Sequence, residues 1–337
     1  MSSEPNKVIA FPAPAQAEKP AEPVAPPKPK RKRAAPKSQR RARKLIAVGG
    51  GKGGIGKSLV SANLGMALAR RGAQVVLVDA DLGGANLHTC LGVDQPSKTL
   101  SDFVNNRVPR LEDVVIETGV GGLKLISGAH DMLDAANPKH SQKSKLLRNV
   151  QGLDVDYVLL DLGAGTSFNV LDFFVAADIG VVVLLPEPTS IENAYRFIKA
   201  AFFRRLQSLT DATTAQQVAL VLSGRDPNVR TPWDLAEQLR PEHPEQAQRL
   251  QAALNGFKPH LVINQARART DYDLGPQVAS AWKKFFGLDL GYLGTVGFDE
   301  HVWAAVRSRK PLLDSAPDAN ASKALLRIAE NLLSLSQ

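Results

Sequence analysis

The chain has 337 residues, 44% of them hydrophobic, which is enough to bury one large core. Its single cysteine, Cys90, excludes a disulfide framework and a cysteine-ligated metal cluster, and fits a reducing compartment. The formal net charge is +9, but residues 1–44 contain twelve Lys/Arg and three Glu, so the whole excess lies there. No apolar run is long enough to span a bilayer, and no signal-peptide core precedes the basic segment. We therefore expect a cytoplasmic protein.

Residues 1–43 form a segment rich in Pro, Ala, Lys and Arg. Such a composition cannot bury enough apolar surface to offset the entropy of ordering the chain, so we predict a disordered tail. Within it, the stretch 28–44 has ten basic residues and no acidic one. This stretch suits nonspecific binding to DNA phosphates or to anionic membrane lipid. A solubilising linker is the third interpretation, and the sequence leaves all three open.

A glycine-rich loop follows the first predicted strand, 45–49, and precedes a predicted helix, 57–71. The loop fits the phosphate-binding pattern GxxxxGK[ST], in which backbone N–H groups cradle phosphate oxygens beside a helix N-terminus. In that pattern Lys57 reaches the β- and γ-phosphates, and the Ser58 hydroxyl ligates Mg²⁺. The predicted nucleotide contacts of the loop are Gly51, Lys52, Gly53, Gly54, Ile55, Gly56, Lys57, Ser58 and Leu59.

Apolar strands alternate with helical stretches along the rest of the chain, 44–337, which we predict to form one nucleotide-binding domain. The order predicts an α/β fold of the P-loop NTPase type, with a mostly parallel, twisted sheet and helices on both faces. Residues 208–256, which contain several Pro-rich turns, interrupt the alternation, and we predict an inserted helical excursion there. The other predicted strands are 74–79, 123–126, 157–161, 179–185, 259–264 and 288–293. The other predicted helices are 99–106, 138–150, 168–177, 189–207, 271–286, 300–309 and 318–335.

Three aspartates stand at or just after the ends of two predicted strands. Asp79 ends the second predicted strand and Asp81 comes two residues later, and Asp161 follows four apolar residues at the end of a later strand. Because the carboxyl ends of parallel strands share the ligand-binding edge of a sheet, these carboxylates are expected to face the phosphate loop. A lone aspartate in the position of Asp161 is typical of a strand that holds Mg²⁺ through water, although it could instead cap the next helix.

The loop contains a second lysine, Lys52, which an ordinary phosphate loop does not need. The form Lys-Gly-Gly-x-Gly-Lys-Ser resembles the deviant Walker A motif of the MinD/ParA ATPase family. The stretches Asp79–Asn86 and Asp161–Gly165 are similar to that family's switch I and switch II segments. The Gly-Ala-Gly form at 163–165 and the stretch 186–195 are more similar to the flagellar-number branch of the family (FlhG/FleN) than to MinD itself.

This resemblance implies an Mg²⁺-dependent ATPase that forms a homodimer in its ATP state. It implies catalytic roles for Lys52, which would cross to the partner subunit's nucleotide, and for Asp81, which would orient the attacking water. Asn264 and Arg267 correspond to the adenine-recognising position of the family. The metal contacts implied by motif and resemblance together are Ser58, Asp79 and Asp161.

The function that we expect is a molecular switch that regulates the position or number of a cellular structure. An ATP-dependent metabolic ligase of the same fold, such as a cobyrinate or dethiobiotin synthetase, is the alternative. The partner and the regulated structure cannot be derived from the residues.

Overall fold

The computed structural model describes residues 44–81, 84–94, 96–128, 140–226 and 229–335. The predicted tail, 1–43, lies outside the described residues, and of the basic stretch 28–44 only Lys44 is included. Among the described residues, no helix combines the length and the apolarity that crossing a membrane requires.

The described residues are built around an eight-stranded sheet, as the alternation of strands and helices predicts. The strands are β1 (Lys44–Gly49), β2 (Val75–Ala80), β3 (Val115–Glu117), β4 (Leu123–Ile126), β5 (Tyr157–Leu162), β6 (Ile179–Leu184), β7 (His260–Ala266) and β8 (Gly291–Gly297). Their order is β3-β4-β2-β5-β1-β6-β7-β8, and every pair is parallel except β3 with β4. The first strand therefore lies inside the sheet, between β5 and β6.

Helices cover both faces of this sheet. They are α1 (Lys57–Ala69), α2 (Leu87–Cys90), α3 (Leu100–Val104), α4 (His140–Gln151), α5 (Phe168–Ala176), α6 (Pro188–Leu209), α7 (Ala212–Leu222), α8 (Pro232–Leu239), α9 (Pro244–Asn255), α10 (Leu274–Phe286), α11 (Glu300–Arg307), α12 (Leu312–Ser315) and α13 (Asn320–Ser334).

The alternation of side chains in β1 separates the two apolar layers. Leu45 and Ala47 belong to the layer under α3–α10, whereas Ile46 and Val48 belong to the layer under α1, α2 and α11–α13. Successive side chains of a strand point to opposite faces, so a central strand with both faces covered has to be apolar throughout. The fold class predicted from the sequence is confirmed by this arrangement.

Two strands differ from the sequence-based expectation. The antiparallel edge strand β3 was not predicted, because its three residues, which are half-buried or exposed, are too few for a periodic pattern. The last strand begins at Gly291 rather than at 288. Leu288 and Leu290 are buried in the preceding loop, so their apolar character reports core packing and not strand pairing.

Three helices, α7–α9, occupy most of the segment 208–256. Val218, Leu235 and Leu250 bury one side of these helices in the same apolar layer as α6. Asp211 and Thr231 cap two of them, since their side chains accept hydrogen bonds from the third residue beyond.

Candidate nucleotide-binding site

The phosphate loop connects the central strand β1 to α1, and two of its glycines are required by close approaches. A Cβ on Gly51 would lie 2.1 Å from the carbonyl oxygen of Asn193, so no other side chain fits there. Gly56 adopts φ 88° at the N-cap of α1, and a Cβ on it would lie 2.2 Å from the amide nitrogen of Asn264. At Gly51 and Gly56, the two glycine positions of the motif, neighbouring elements therefore leave no room for a side chain.

Lys57 begins α1 and is buried, with its Nζ 3.4 Å from the carbonyl oxygen of Lys52. Burial lowers the pKa of Lys57, while the carboxylates of Asp161 and Asp81 act in the opposite direction. A buried ammonium group is unfavourable unless negative charge surrounds it. Lys57 therefore lies where the chain supplies two carboxylates and where a phosphate would supply further negative charge.

Asp161 lies near the carboxyl end of β5, is fully buried, and is the centre of the polar site. The Ser61 hydroxyl donates a 2.9 Å hydrogen bond to one of its oxygens, and Ser58 also donates to the carboxylate. Burial raises the pKa of Asp161 to about 6, although the bonds from Ser58 and Ser61 and the charge of Lys57 oppose this rise. Sequence reasoning missed Ser61. Its only signal is its spacing of four residues from Lys57, which places both side chains on one side of α1.

Asp79 stands beside Asp161, because β2 pairs with β5 in a register that matches these two residues. Its two oxygens accept hydrogen bonds from the backbone nitrogens of Asp81, at 3.2 Å, and of Leu87, at 3.0 Å. Burial and the neighbouring Asp161 raise the pKa of Asp79 to about 7. Asp79 thus holds both ends of the segment between β2 and α2.

Asp81 follows β2 and is half-buried. A Cβ on Gly163 would lie 3.2 Å from one of its oxygens, so the carboxylate faces the loop that follows β5. That loop is tied to the phosphate loop, since the Gly165 nitrogen donates to the Gly50 carbonyl oxygen at 3.3 Å. The structure therefore brings the two predicted switch segments and the phosphate loop together.

These groups fit a bound Mg²⁺. A hydroxyl and carboxylates are the hard oxygen ligands that this ion prefers, and they include Ser58 and Asp161. Burial is the main cause of the raised pKa of both Asp79 and Asp161, and a bound cation would favour the charged form of these adjacent carboxylates. Among the described residues, no group of three or more His, Cys, Asp or Glu side chains is arranged to hold a metal ion.

Asn264, near the end of β7, is buried and contacts the phosphate loop directly. Its amide nitrogen donates to the Ile55 carbonyl oxygen at 2.8 Å, and its side-chain oxygen accepts from the Gln265 nitrogen at 3.0 Å. Arg267 instead stacks its guanidinium on the ring of Phe298, 3.7 Å from the ring centre. Of the two residues predicted for adenine recognition, Asn264 thus contacts the loop and Arg267 contacts Phe298, and the amide and guanidinium groups of both already have partners.

A cavity of about 330 Å³ opens beside these residues. Its apolar walls include Leu59, which was predicted, and Phe298, Val302 and Trp303, which were not. Phe298 and Trp303 are exposed. The sequence offered no periodic signal for them, because they lie on a short loop and a short helix at the far end of the chain.

Known proteins that are similar to this chain identify the protein family to which it belongs. A family model described as "ParA: NUBPL iron-transfer P-loop NTPase" matches residues 41–209. Antiactivator FleN of Pseudomonas aeruginosa is 30% identical over 86% of this chain and 85% of its own length. The chain therefore belongs to the ParA family of P-loop NTPases, of the MinD/FleN type.

Two further proteins support this assignment at different levels. The flagellum site-determining protein YlxH of Helicobacter pylori is 35% identical, over 46% of this chain and 53% of its own length. The structure of the septum site-determining protein MinD from Pyrococcus horikoshii, complexed with Mg-ADP, matches with a TM-score of 0.61. That match has 21% identity and covers 87% of this chain and 98% of the other, so it supports the fold. The metabolic-ligase alternative is not favoured by these relatives.

Proposed function

We propose that the protein is a Mg²⁺-dependent ATPase that acts as a switch, in which the ATP-bound dimer is the active state. The observation that carries this proposal is the convergence of Lys57, Asp81 and Asp161 on one phosphate loop. All three come from different elements at the carboxyl edge of one sheet, which is the ligand-binding edge of open α/β folds.

The loop residues would bind the triphosphate. Backbone N–H groups between Gly51 and Ser58, together with the N-terminus of α1, would bind the phosphate oxygens, and Lys57 would contact the terminal phosphates. Ser58 and Asp161 would hold Mg²⁺, which in such sites neutralises charge on the phosphate oxygens. The cavity lined by Leu59, Phe298 and Trp303 would take the adenine ring.

Asp81 would orient the attacking water and accept its proton. Its half-buried carboxylate faces Gly163 and acts electrostatically on Lys57, so it lies between the loop after β5 and the phosphate site. Asp79 would act through Asp81, because it accepts a hydrogen bond from the Asp81 backbone nitrogen. We therefore assign Asp79 a positioning role in addition to the metal contact expected from the sequence.

Lys52 would act in the dimer. Its side chain is exposed, and only its backbone carbonyl contacts Lys57. An exposed lysine in a phosphate loop is well placed to reach a nucleotide in a second subunit, where it would stabilise negative charge. The biological role is proposed from the names of the relatives: an antiactivator and a flagellum site-determining protein suggest control of the number or position of a cellular structure.

The decisive experiment compares Lys52→Ala with a matched control, Lys323→Ala, which removes another exposed lysine, on α13. Light scattering is measured with Mg-ATP and with Mg-ADP, and ATP binding is measured separately with a fluorescent analogue. We expect wild type and Lys323→Ala to dimerise with ATP only. Lys52→Ala should bind ATP and remain monomeric, and an ATP-dependent dimer in this variant would contradict the proposal.

A further inference from the structure

A second cleft lies among α4, α5 and α6, and none of its lining residues belongs to the nucleotide site. Its volume is about 500 Å³. We call it the basic cleft, defined by Lys143, Asp172, Arg204 and Arg205. The predicted ATPase activity makes no use of these residues.

One carboxylate in the basic cleft is shared by two cations. Lys143 Nζ and Arg204 Nε each lie 2.5 Å from a different oxygen of Asp172. The side chains of Lys143 and Asp172 are only 10% and 16% exposed, so little water screens the group. Burial alone would raise the pKa of Asp172, but the hydrogen bonds from Arg204 and Lys143 outweigh it and hold this pKa below its ordinary value.

The third cation of the cleft, Arg205, has no acidic partner among the described residues. Its Nε donates to the Ala253 carbonyl oxygen at 3.1 Å, and within the described part of the chain no carboxylate lies within ion-pair distance of it. Burial lowers the pKa of Arg205. Among the residues that the structure describes, three cations therefore line the cleft against one carboxylate. A half-buried guanidinium of this kind favours an incoming anion.

The cleft also has apolar walls. Leu147 and Leu209 line it, and Leu209 is 41% exposed. At its edge the guanidinium of Arg204 lies 5.5 Å from the ring centre of Phe168, a residue that is 71% exposed. An inorganic anion would gain nothing from these side chains, whereas a peptide with carboxylates between large apolar residues would use both features.

We propose that the basic cleft binds an acidic segment of a partner protein in which Asp or Glu residues alternate with large apolar ones. Asp172 occupies the position between Lys143 and Arg204 that a carboxylate of the partner would share. Asp172 is therefore an internal competitor, and removing its charge should strengthen binding. This inference does not depend on ATP hydrolysis, so it can fail while the proposed ATPase function stands.

The test uses the full chain and a fluorescein-labelled synthetic peptide with the repeat Asp-Leu-Glu-Phe, with binding followed by fluorescence anisotropy. The variants are Arg204→Gln, Lys143→Met and Asp172→Asn. The matched control is Arg196→Gln, which removes the same charge from the same helix but pairs with Glu192 outside the cleft. A peptide with Asn and Gln in place of Asp and Glu controls for apolar binding. The basic N-terminal segment is present in every variant, so any contribution that it makes to peptide binding is the same in all of them.

We expect Arg204→Gln and Lys143→Met to weaken binding of the acidic peptide by about tenfold, as for a partly desolvated charge contact. Arg196→Gln should leave the affinity unchanged, and Asp172→Asn should strengthen it severalfold. A purely structural role of Lys143, Asp172 and Arg204 would instead weaken binding in all three cleft variants. Equal losses in Arg204→Gln and Arg196→Gln, or equal binding of the amide peptide, would overturn the proposal. If Asp172→Asn does not fold, the difference in peptide affinity between Arg204→Gln and Arg196→Gln still tests the proposal.

Discussion

Asn264 donates a 2.8 Å hydrogen bond to the carbonyl oxygen of Ile55, 209 residues earlier in the chain. The bond joins the end of β7 to the phosphate loop just before Gly56, whose missing side chain makes room for the Asn264 amide. The conformation of the loop thus depends on a strand that is distant in sequence. Asn264 therefore has two possible roles: it stabilises the conformation of the loop, or it recognises the adenine base.

Asn264→Ala should weaken the binding of ATP and GTP by the same factor, about tenfold, because both nucleotides use the same phosphate loop. A residue that reads the base would instead change the preference between them. Affinities for both nucleotides are measured by titration. Asn331→Ala is the control, since Asn331 donates a bond of the same length to the Leu293 carbonyl oxygen away from the loop. It should leave nucleotide affinity unchanged, and a selective loss of ATP binding in Asn264→Ala would instead indicate base reading.

Asp81→Ala should bind Mg-ATP and form the ATP-dependent dimer, but should hydrolyse ATP about 10²-fold more slowly, as when a positioned proton acceptor is removed. The measurements are phosphate release and light scattering on the same sample. Asp318→Ala, which removes an exposed aspartate, serves as the control. Normal turnover by Asp81→Ala would remove this residue from the mechanism.

Ser61→Ala should lower the free energy of unfolding by about 1.5–3 kcal/mol, because its hydroxyl donates to the buried carboxylate of Asp161. Ser101 offers a matched control: it is also buried, but among the described residues its hydroxyl has no hydrogen-bond partner. Ser101→Ala should therefore lower the free energy of unfolding by much less. Urea unfolding of both variants checks the difference, and equal costs would show that the bond to Asp161 contributes no net stability.

Asp299 caps α11 and also accepts a 3.1 Å hydrogen bond from the Ala321 nitrogen near the start of α13. Burial would raise its pKa, but the bonds from Ala321 and His301 hold the pKa below its ordinary value. The folded protein therefore binds fewer protons here than the unfolded chain. The stability that Asp299 contributes is complete above the unfolded-state pKa, about 4, and is lost as the pH falls through the lower native pKa.

Asp299→Ala is accordingly expected to lower the free energy of unfolding by about 1 kcal/mol at neutral pH. The difference from wild type should shrink in strongly acidic buffer, and urea unfolding at a series of pH values measures it. Asp299→Asn keeps an acceptor oxygen without the titration, so its difference from wild type should also depend on pH. A pH-independent difference for both variants would show that the Asp299 charge does not contribute.

The fold class, most of the strands and the phosphate loop could be predicted from the residues alone. These features are local: the loop is a run of consecutive residues, and a strand or helix shows its burial in the spacing of its own apolar side chains. The positions of Asp79, Asp81 and Asp161 could also be anticipated, because the ends of parallel strands meet at one edge of a sheet. The short antiparallel strand β3 was not predicted because its pattern is too short, and the start of β8 was wrong because the apolar residues there report burial alone.

Which side chains meet across the molecule depends on the tertiary structure. Ser61 and Asp161 are separated by 100 residues, and their hydrogen bond depends on how α1 packs on β5. The contact of Asn264 with Ile55 and the triad of Lys143, Asp172 and Arg204 likewise join elements that no local pattern relates. Periodicity tells which face of an element is buried, but it carries no information about the partner on the other side. That partner is set by sheet order and helix packing, which arise from the chain as a whole.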